Sequence, residues 1–322
     1  MMSHTVLLTG ASGFVGSAIL ELLLAEGQSV VAAFRQPPMQ LDPRVVPVCI
    51  ESLDGVTDWH AALAGVDVVI HSAARVHVMN DTESDPLAAF RKVNVEGTLR
   101  LARQAATAGV RRFVFVSSIK VNGEGTPKGS PYTADDLPAP VDPYGVSKME
   151  AEEGLRALAR EVGLEVVIIR PVLVYGPGVK ANFLAMMRWL DKGVPLPFGA
   201  IDNRRSLVAL GNLADLVVTC VDHPAAANQT FLVSDAEDLS TSALLRRMAK
   251  ALGRRARLLP VPSRLLEVGA VVLGKHSLSQ RLCGSLQVDI EKTCSLLGWK
   301  PPLSVDEALA LTARDYQEKT KK

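Results

Sequence analysis

The chain alternates short apolar runs with longer stretches in which apolar residues recur every three or four positions. Runs at residues 5–9, 29–34, 45–50, 66–71, 112–117 and 165–169 have the length and β-branched content of buried strands. Helical periodicity covers 14–26, 59–63, 86–108 and 143–161. Strands and helices taking turns in this way predict an α/β fold: a doubly wound parallel sheet, covered on both faces and joined by right-handed connections.

Beyond Arg170-Pro171 the pattern changes. Proline and glycine punctuate 176–178 and 193–197, a strand is expected at 204–208, and helices are expected at 182–190, 240–251 and 304–316. The expected organisation is a nucleotide-binding domain over residues 1–170 and a smaller, loop-rich substrate region over 171–322, some of whose segments return to the sheet.

Composition narrows the function. Lys and Arg number 35 against 34 Asp and Glu, a formal charge of +1, so no basic footprint for nucleic acid is present. The four cysteines, Cys49, Cys220, Cys283 and Cys294, form no Cys-x-x-Cys pair, and the six histidines no His-x-x-x-His pair, which points away from a metal site and toward reduced thiols. His71 and His77 bracket a strand end and read as packing or capping residues. The apolar run at 268–273 is far short of the ~20 residues that span a bilayer, so no integral membrane segment is expected, with surface contact through 265–273 as a minor alternative. A first strand starting near Thr5 leaves no room for a cleaved leader, and a cytoplasmic protein is expected.

The first strand runs directly into Gly10-Ala11-Ser12-Gly13-Phe14-Val15-Gly16 and then a helix. Glycines at this spacing permit a tight turn and close approach to a pyrophosphate, which the helix N-terminus favours. Strand, glycine turn and helix in this order make the sheet Rossmann-like. The second strand ends at Arg35, where a carboxylate would take the ribose 2′-hydroxyl of NAD; an arginine there suits a 2′-phosphate, so NADP(H) is favoured and NAD(H) is the alternative. A solvated surface role is the other reading of Arg35. Ser52 and Leu53, after the third strand, fall where the adenine edge would lie.

Carbonyl chemistry is suggested by Asp142-Pro143-Tyr144-Gly145-Val146-Ser147-Lys148. Asp142 suits an N-cap and Pro143 the first helical position, which places Tyr144 and Lys148 one turn apart on one face. A phenol ionises near pH ~10, and Lys148 could bring it toward neutrality. Ser118, closing the strand at 112–117, could hold the substrate oxygen.

These segments, together with Val69-Ile70-His71-Ser72-Ala73-Ala74, Val93-Asn94-Val95-Glu96-Gly97-Thr98 and Arg170-Pro171-Val172-Leu173-Val174-Tyr175-Gly176-Pro177, resemble the extended short-chain dehydrogenase/reductase (NAD-dependent epimerase/dehydratase) family across nearly the whole chain. The resemblance implies that Ser118, Tyr144 and Lys148 are catalytic. It also implies that Gly10, Ser12, Gly13, Phe14, Val15, Gly16, Ala73, Ala74 and Asn94 line the cofactor, that the substrate is a UDP-sugar, and that the protein is a homodimer built on helices 86–108 and 143–161. Arg205 then falls where the family holds the diphosphate, Arg281 is a second clamp, and Lys120 and Asn182 join the substrate contacts; Arg204 and Lys180 are equally well read as surface charge.

More narrowly, residues 118–124 and 175–183 are similar to bacterial 4-keto reductases of O-antigen sugar synthesis. That similarity implies NADPH-dependent reduction of a UDP-2-acetamido-2,6-dideoxy-4-hexulose to UDP-N-acetylquinovosamine or UDP-N-acetylfucosamine. Two residues depart from the family pattern: Leu173 replaces an asparagine, and Lys120 a small hydroxyl residue. Dehydratases carry carboxylates right after the active-site Ser or Thr, and Ile119 and Lys120 stand there instead. The alternatives are a UDP-sugar 4-epimerase with tightly bound NAD, a reductase of a non-sugar ketone, and a non-catalytic NADP sensor, whose mark would be loss of Tyr144 or Lys148.

Overall fold

The computed structural model describes residues 4–76, 85–266 and 282–320. Its centre is a seven-stranded parallel sheet built from β1 (Thr5–Thr9), β2 (Ser29–Phe34), β3 (Val45–Cys49), β4 (Val68–His71), β5 (Arg112–Val116), β6 (Glu165–Pro171) and β9 (Thr230–Val233), in the order β3-β2-β1-β4-β5-β6-β9. The order reverses between β1 and β4, where the register pairs Thr9 with His71. A crevice opens beyond the carboxyl ends of the strands at such a switch point.

The period of two along each strand sorts the core. Val6 and Leu8 of β1 and Val114 and Val116 of β5 face α1 (Phe14–Ala25) and α7 (Leu210–Asp222). Leu7, Phe113 and Phe115 point the other way, into a cluster with Leu101 of α4 (Thr98–Thr107) and Leu155 of α5 (Pro143–Val162). A third cluster joins β7 (Leu173–Tyr175) and β8 (Leu207–Ala209) to α6 (Ala181–Asp191), α8 (Thr241–Ala251) and α10 (Val305–Thr320). β5 begins with a buried arginine because Arg112 caps the carboxyl end of α7, donating from Nη1 to the carbonyls of Cys220 (2.8 Å), Val221 (3.1 Å) and His223 (3.0 Å).

Several elements differ from the sequence reading. The expected helix over 86–108 is three pieces: α3 (Pro86–Arg91), a π-helical turn at Lys92–Gly97, and α4. The wide turn lets the buried Asn94 side chain reach the loop after β4 and also α5. The strand expected at 204–208 begins only at Leu207, since Arg205 bridges instead to Leu239 and Leu286. Helix 304–316 runs to Thr320, started by a reciprocal cap in which the Glu307 carboxylate accepts from the Ser304 amide at 2.9 Å. β7, α7, β9 and α9 (Glu291–Leu297) are not among the expected elements; β9 is four residues long and depends on the edge of β6 for its pairing. Among the described residues no helix is long and apolar enough to cross a membrane. His77, Arg281 and the run at 268–273 lie outside the described residues.

Under the carboxyl end of β5 lies a buried ionic cluster. Glu152 of α5 accepts from Ser117 Oγ at 2.6 Å, from Arg170 Nε at 2.9 Å and Nη2 at 2.6 Å, and from Arg156 at 3.0 Å. Arg170 also donates to Asn122 Oδ1 at 2.9 Å. Removing one partner of such a pair strands the other charge. Arg170→Met is therefore expected to cost about 3–5 kcal/mol in denaturant unfolding, whereas Arg91→Met, which breaks the more exposed pair with Glu150 on α3 and α5, should cost about 1 kcal/mol or less.

Candidate active site

The glycine turn sits at the switch point. Gly10 has φ +76°, and a Cβ there would stand 2.8 Å from the Ala73 amide nitrogen; a Cβ on Gly16 would meet the Gly10 carbonyl oxygen at 2.0 Å. Only hydrogen fits at both positions. The Gly13 amide closes the turn on the Gly10 carbonyl at 2.8 Å, and Gly13 then caps α1 with no side chain over its first amides. Ser12, Phe14 and Val15 complete this end of α1, whose first turn holds no acidic residue. The cradle therefore suits a dinucleotide pyrophosphate. Ala73 and Ala74 continue from β4 along the opposite wall, the Ala73 amide donating to Thr9 Oγ1 at 3.3 Å.

Arg35 lies one residue past β2, exposed and without a hydrogen-bond or ion-pair partner among the described residues. Ser52 and Leu53 follow β3, where Ser52 Oγ donates to Asp54 Oδ2 at 2.9 Å and the loop is closed by Asp54 and Thr57.

Asn94 holds the site's framework. Its Oδ1 accepts from the Arg75 amide at 2.8 Å, while Nδ2 donates to the Arg75 carbonyl and to Ser147 Oγ, both at 3.0 Å. Ser147 Oγ in turn donates to the Tyr144 carbonyl at 2.8 Å. The turn that carries Tyr144 is thus tied to the loop after β4. His71 is a packing residue in this frame. Thr98 gives its hydroxyl proton to the Asn94 carbonyl at 2.7 Å, which leaves His71 Nε2 to donate to Thr98 at 3.0 Å and Nδ1 to accept from Thr9 at 2.7 Å. Burial holds the imidazole down at about 3, so it stays neutral.

Ser118, Tyr144 and Lys148 come together. α5 starts as its residues require, with Asp142 Oδ1 accepting from the Gly145 amide at 2.7 Å and Pro143 in the first turn. Tyr144 shares a hydrogen bond with Ser118 and packs edge-on against Phe90, the ring centroids 5.9 Å apart. Lys148, 2% exposed, donates to the Val116 carbonyl at 2.9 Å, with its Nζ 4.4 Å from the centroid of Phe115. Burial depresses the ammonium from 10.5 to about 7, opposed by Glu152 one turn on. The phenol departs from the sequence expectation. Tyr144 keeps some solvent contact as a residue, yet desolvation of its hydroxyl, with Asp142 nearby, pushes it up to about 12 against the Ser118 hydrogen bond.

The proposed substrate residues are more dispersed. Arg205 is half-buried in the seam between Leu239 and Leu286, its Nη1 donating to the Gly284 carbonyl at 3.1 Å. Asn182 is exposed at the start of α6, next to Ala181 at φ +52°. Lys120 follows Ser118 in the 3-10 turn Ile119–Val121, and Ile119 is buried in the core. An open cleft of about 450 Å³ lies beyond this turn, lined by Glu124, Thr126, Tyr132 and Ser285 among others. Glu152 and Asn122 carry little signal in the sequence, only the helical spacing of Glu152 from Lys148.

The sequence model of the NAD dependent epimerase/dehydratase family matches residues 6–234. A "UDP-glucose 4-epimerase" of Vibrio cholerae is 48% identical over 98% of this chain and 96% of its own length. An "N-acetyl-alpha-D-glucosaminyl-diphospho-ditrans,octacis-undecaprenol 4-epimerase" of Escherichia coli O157:H7 is 28% identical over 97% of this chain and 95% of its own. Among solved structures, "MoeE5 in complex with UDP-glucose and NAD" superposes with a TM-score of 0.77 at 24% identity, covering 99% of this chain and 100% of that one, a likeness of fold.

Lys148 links the site to stability. Its ammonium has a folded value of about 7 against 10.5, so between these the unfolded chain binds the extra proton and stability rises with pH. Lys148→Met is expected to be more stable than the parent protein in urea at pH 7 and below, with the gap closing as pH approaches 10.5.

Proposed function

The chain belongs to the NAD dependent epimerase/dehydratase family, and we propose that within it the protein is a UDP-sugar 4-epimerase that keeps NAD bound through its cycle. The 48% identity to a UDP-glucose 4-epimerase, sustained over nearly both full lengths, carries the choice of reaction. The geometry supports the class of chemistry. Ser118, Tyr144 and Lys148 converge at the carboxyl end of β5, and the two positions after Ser118 hold a buried Ile119 and a cation, with no carboxylate to expel water.

In this reading Tyr144 takes the C4 hydroxyl proton as phenolate and later returns one to the C4 oxygen, Ser118 hydrogen-bonds that oxygen, and Lys148 stabilises the phenolate. Bound NAD supplies the hydride acceptor and donor. The turn at Gly10, Gly13 and Gly16 holds its pyrophosphate, Ser52 and Leu53 flank the adenine, and Ala73, Ala74 and Asn94 line the route to the nicotinamide. Arg205, with Asn182, would hold the substrate diphosphate, for which a guanidinium fork is suited.

A second reading is NADPH-dependent reduction of a UDP-4-keto-6-deoxy amino sugar. The observation favouring it is Arg35, which stands exposed past β2 with no carboxylate beside it to take a ribose hydroxyl.

The purified protein is expected to convert UDP-glucose to UDP-galactose without added coenzyme, and to release NAD on denaturation. Turnover only with stoichiometric NADPH and a 4-keto sugar would favour the reductase. In either case Tyr144→Phe should lower kcat by about 10²–10⁴-fold, with coenzyme affinity retained by fluorescence titration.

A further inference from the structure

Lys120 is a departure from the family pattern whose surroundings differ from those of a substrate contact. Its Nζ donates to Glu124 Oε1 at 2.9 Å and to Asp142 Oδ2, and its backbone amide donates to Ser118 Oγ at 3.3 Å. Asp142 is also the N-cap of α5, its other oxygen accepting from the Gly145 amide. The Lys120 carbonyl abuts Gly145 so closely that a Cβ there would lie 2.8 Å from it. One residue thus touches Ser118 through its amide, and the first turn of α5 through both its carbonyl and its ammonium. These are the two segments that carry the Ser118 and Tyr144 hydroxyls.

The Asp142 carboxylate is the acidic group that acts on the Tyr144 phenol and opposes its ionisation. Ser118 at the end of β5 and the Phe90 ring of α3 also meet Tyr144, and Lys148 stands one turn along α5; Arg75, from the loop after β4, lies over Phe90 at 5.8 Å from its centroid. Lys148 is itself faced by His71 and Glu152. Lys120 is joined directly to Asp142, and with side chains 24% and 16% exposed the pair is only partly screened by water.

We propose that Lys120 is a positioning residue, clasping the start of α5 to the turn after β5 and balancing the Asp142 charge so that Tyr144 can carry a phenolate when the C4 alcohol is oxidised. The role rests on Tyr144 acting as the proton carrier, but its effect on the phenol does not depend on which sugar is turned over.

The test uses the full-length protein with tyrosine labelled by ¹³C at the hydroxyl-bearing ring carbon, the Tyr144 resonance being assigned by its loss in Tyr144→Phe. Over an alkaline titration, Lys120→Arg, whose guanidinium stays charged where a phenol at about 12 ionises, should hold the Tyr144 midpoint about half a pH unit or more below that of Lys120→Met. Asp142→Asn, which still caps the helix, should move it down. Lys120→Arg should retain the parent's turnover at neutral pH. In turnover, Lys120→Met should lower kcat at neutral pH about three- to ten-fold, the decrease in phenolate that such a shift implies, with KM for the UDP-sugar held within about two-fold. Equal Tyr144 midpoints in Lys120→Arg and Lys120→Met, or a loss confined to KM, would overturn the proposal. The NMR arm reads the phenol directly, so absence of epimerase activity in the parent protein would defeat the functional reading and leave this inference to be decided on its own.

Discussion

The site depends on a cation held where water is nearly absent. Lys148 is buried beneath the carboxyl end of β5, and its ammonium is kept there by three neighbours: the Val116 carbonyl, the Phe115 ring and the Glu152 carboxylate one turn further along α5. A buried ammonium without such support would lose its proton. Glu152 is in turn held by Arg170, Arg156 and Ser117, so the ionic cluster under the sheet and the reactive face above it are one construction. Ser117 ties that cluster to β5, and the next residue along the chain is Ser118.

A second frame approaches from the glycine turn. The π-helical turn at Lys92–Gly97 lets Asn94 reach Arg75 and Ser147, while Thr98, one residue on, connects through His71 to Thr9 at the end of β1. The glycine turn starts at the next residue, Gly10. Hydrogen bonds therefore run from the residue before the glycine turn to the turn that carries Tyr144. With Asp142 and Lys120 closing the third side, the phenol is held from β5, from the π turn and from its own helix start. The reaction proposed for this site moves a proton and a hydride at one carbon and needs its reacting groups held in a fixed relation, and each of these connections removes freedom from Tyr144 or its surroundings.

Much of this was legible in the residues. The Rossmann-like sheet followed from apolar runs alternating with helical periods, and the start of α5 followed from Asp142 and Pro143. The Gly10, Gly13 and Gly16 spacing carried the close approaches found at Gly10 and Gly16. The break of helix 86–108 was not legible, because its cause is a side chain reaching Ser147, 53 residues away. Nor were β7 and β9, at three and four residues, whose pairing comes from β8 and β6 and not from their own composition.

What the sequence by itself determined was therefore local: which segments are strands and helices, where α5 begins, and that a tyrosine and a lysine share one helical face. Those properties arise from backbone sterics, capping and periodicity over a few residues. The tertiary structure alone decided the electrostatics. It turned an expected low phenol into one raised to about 12 and buried Lys148 among neighbours from β5 and α5. It also joined Lys120 to a carboxylate 22 residues away. Desolvation and charge pairing depend on which chain segments surround a group in space, and separation along the chain does not encode that.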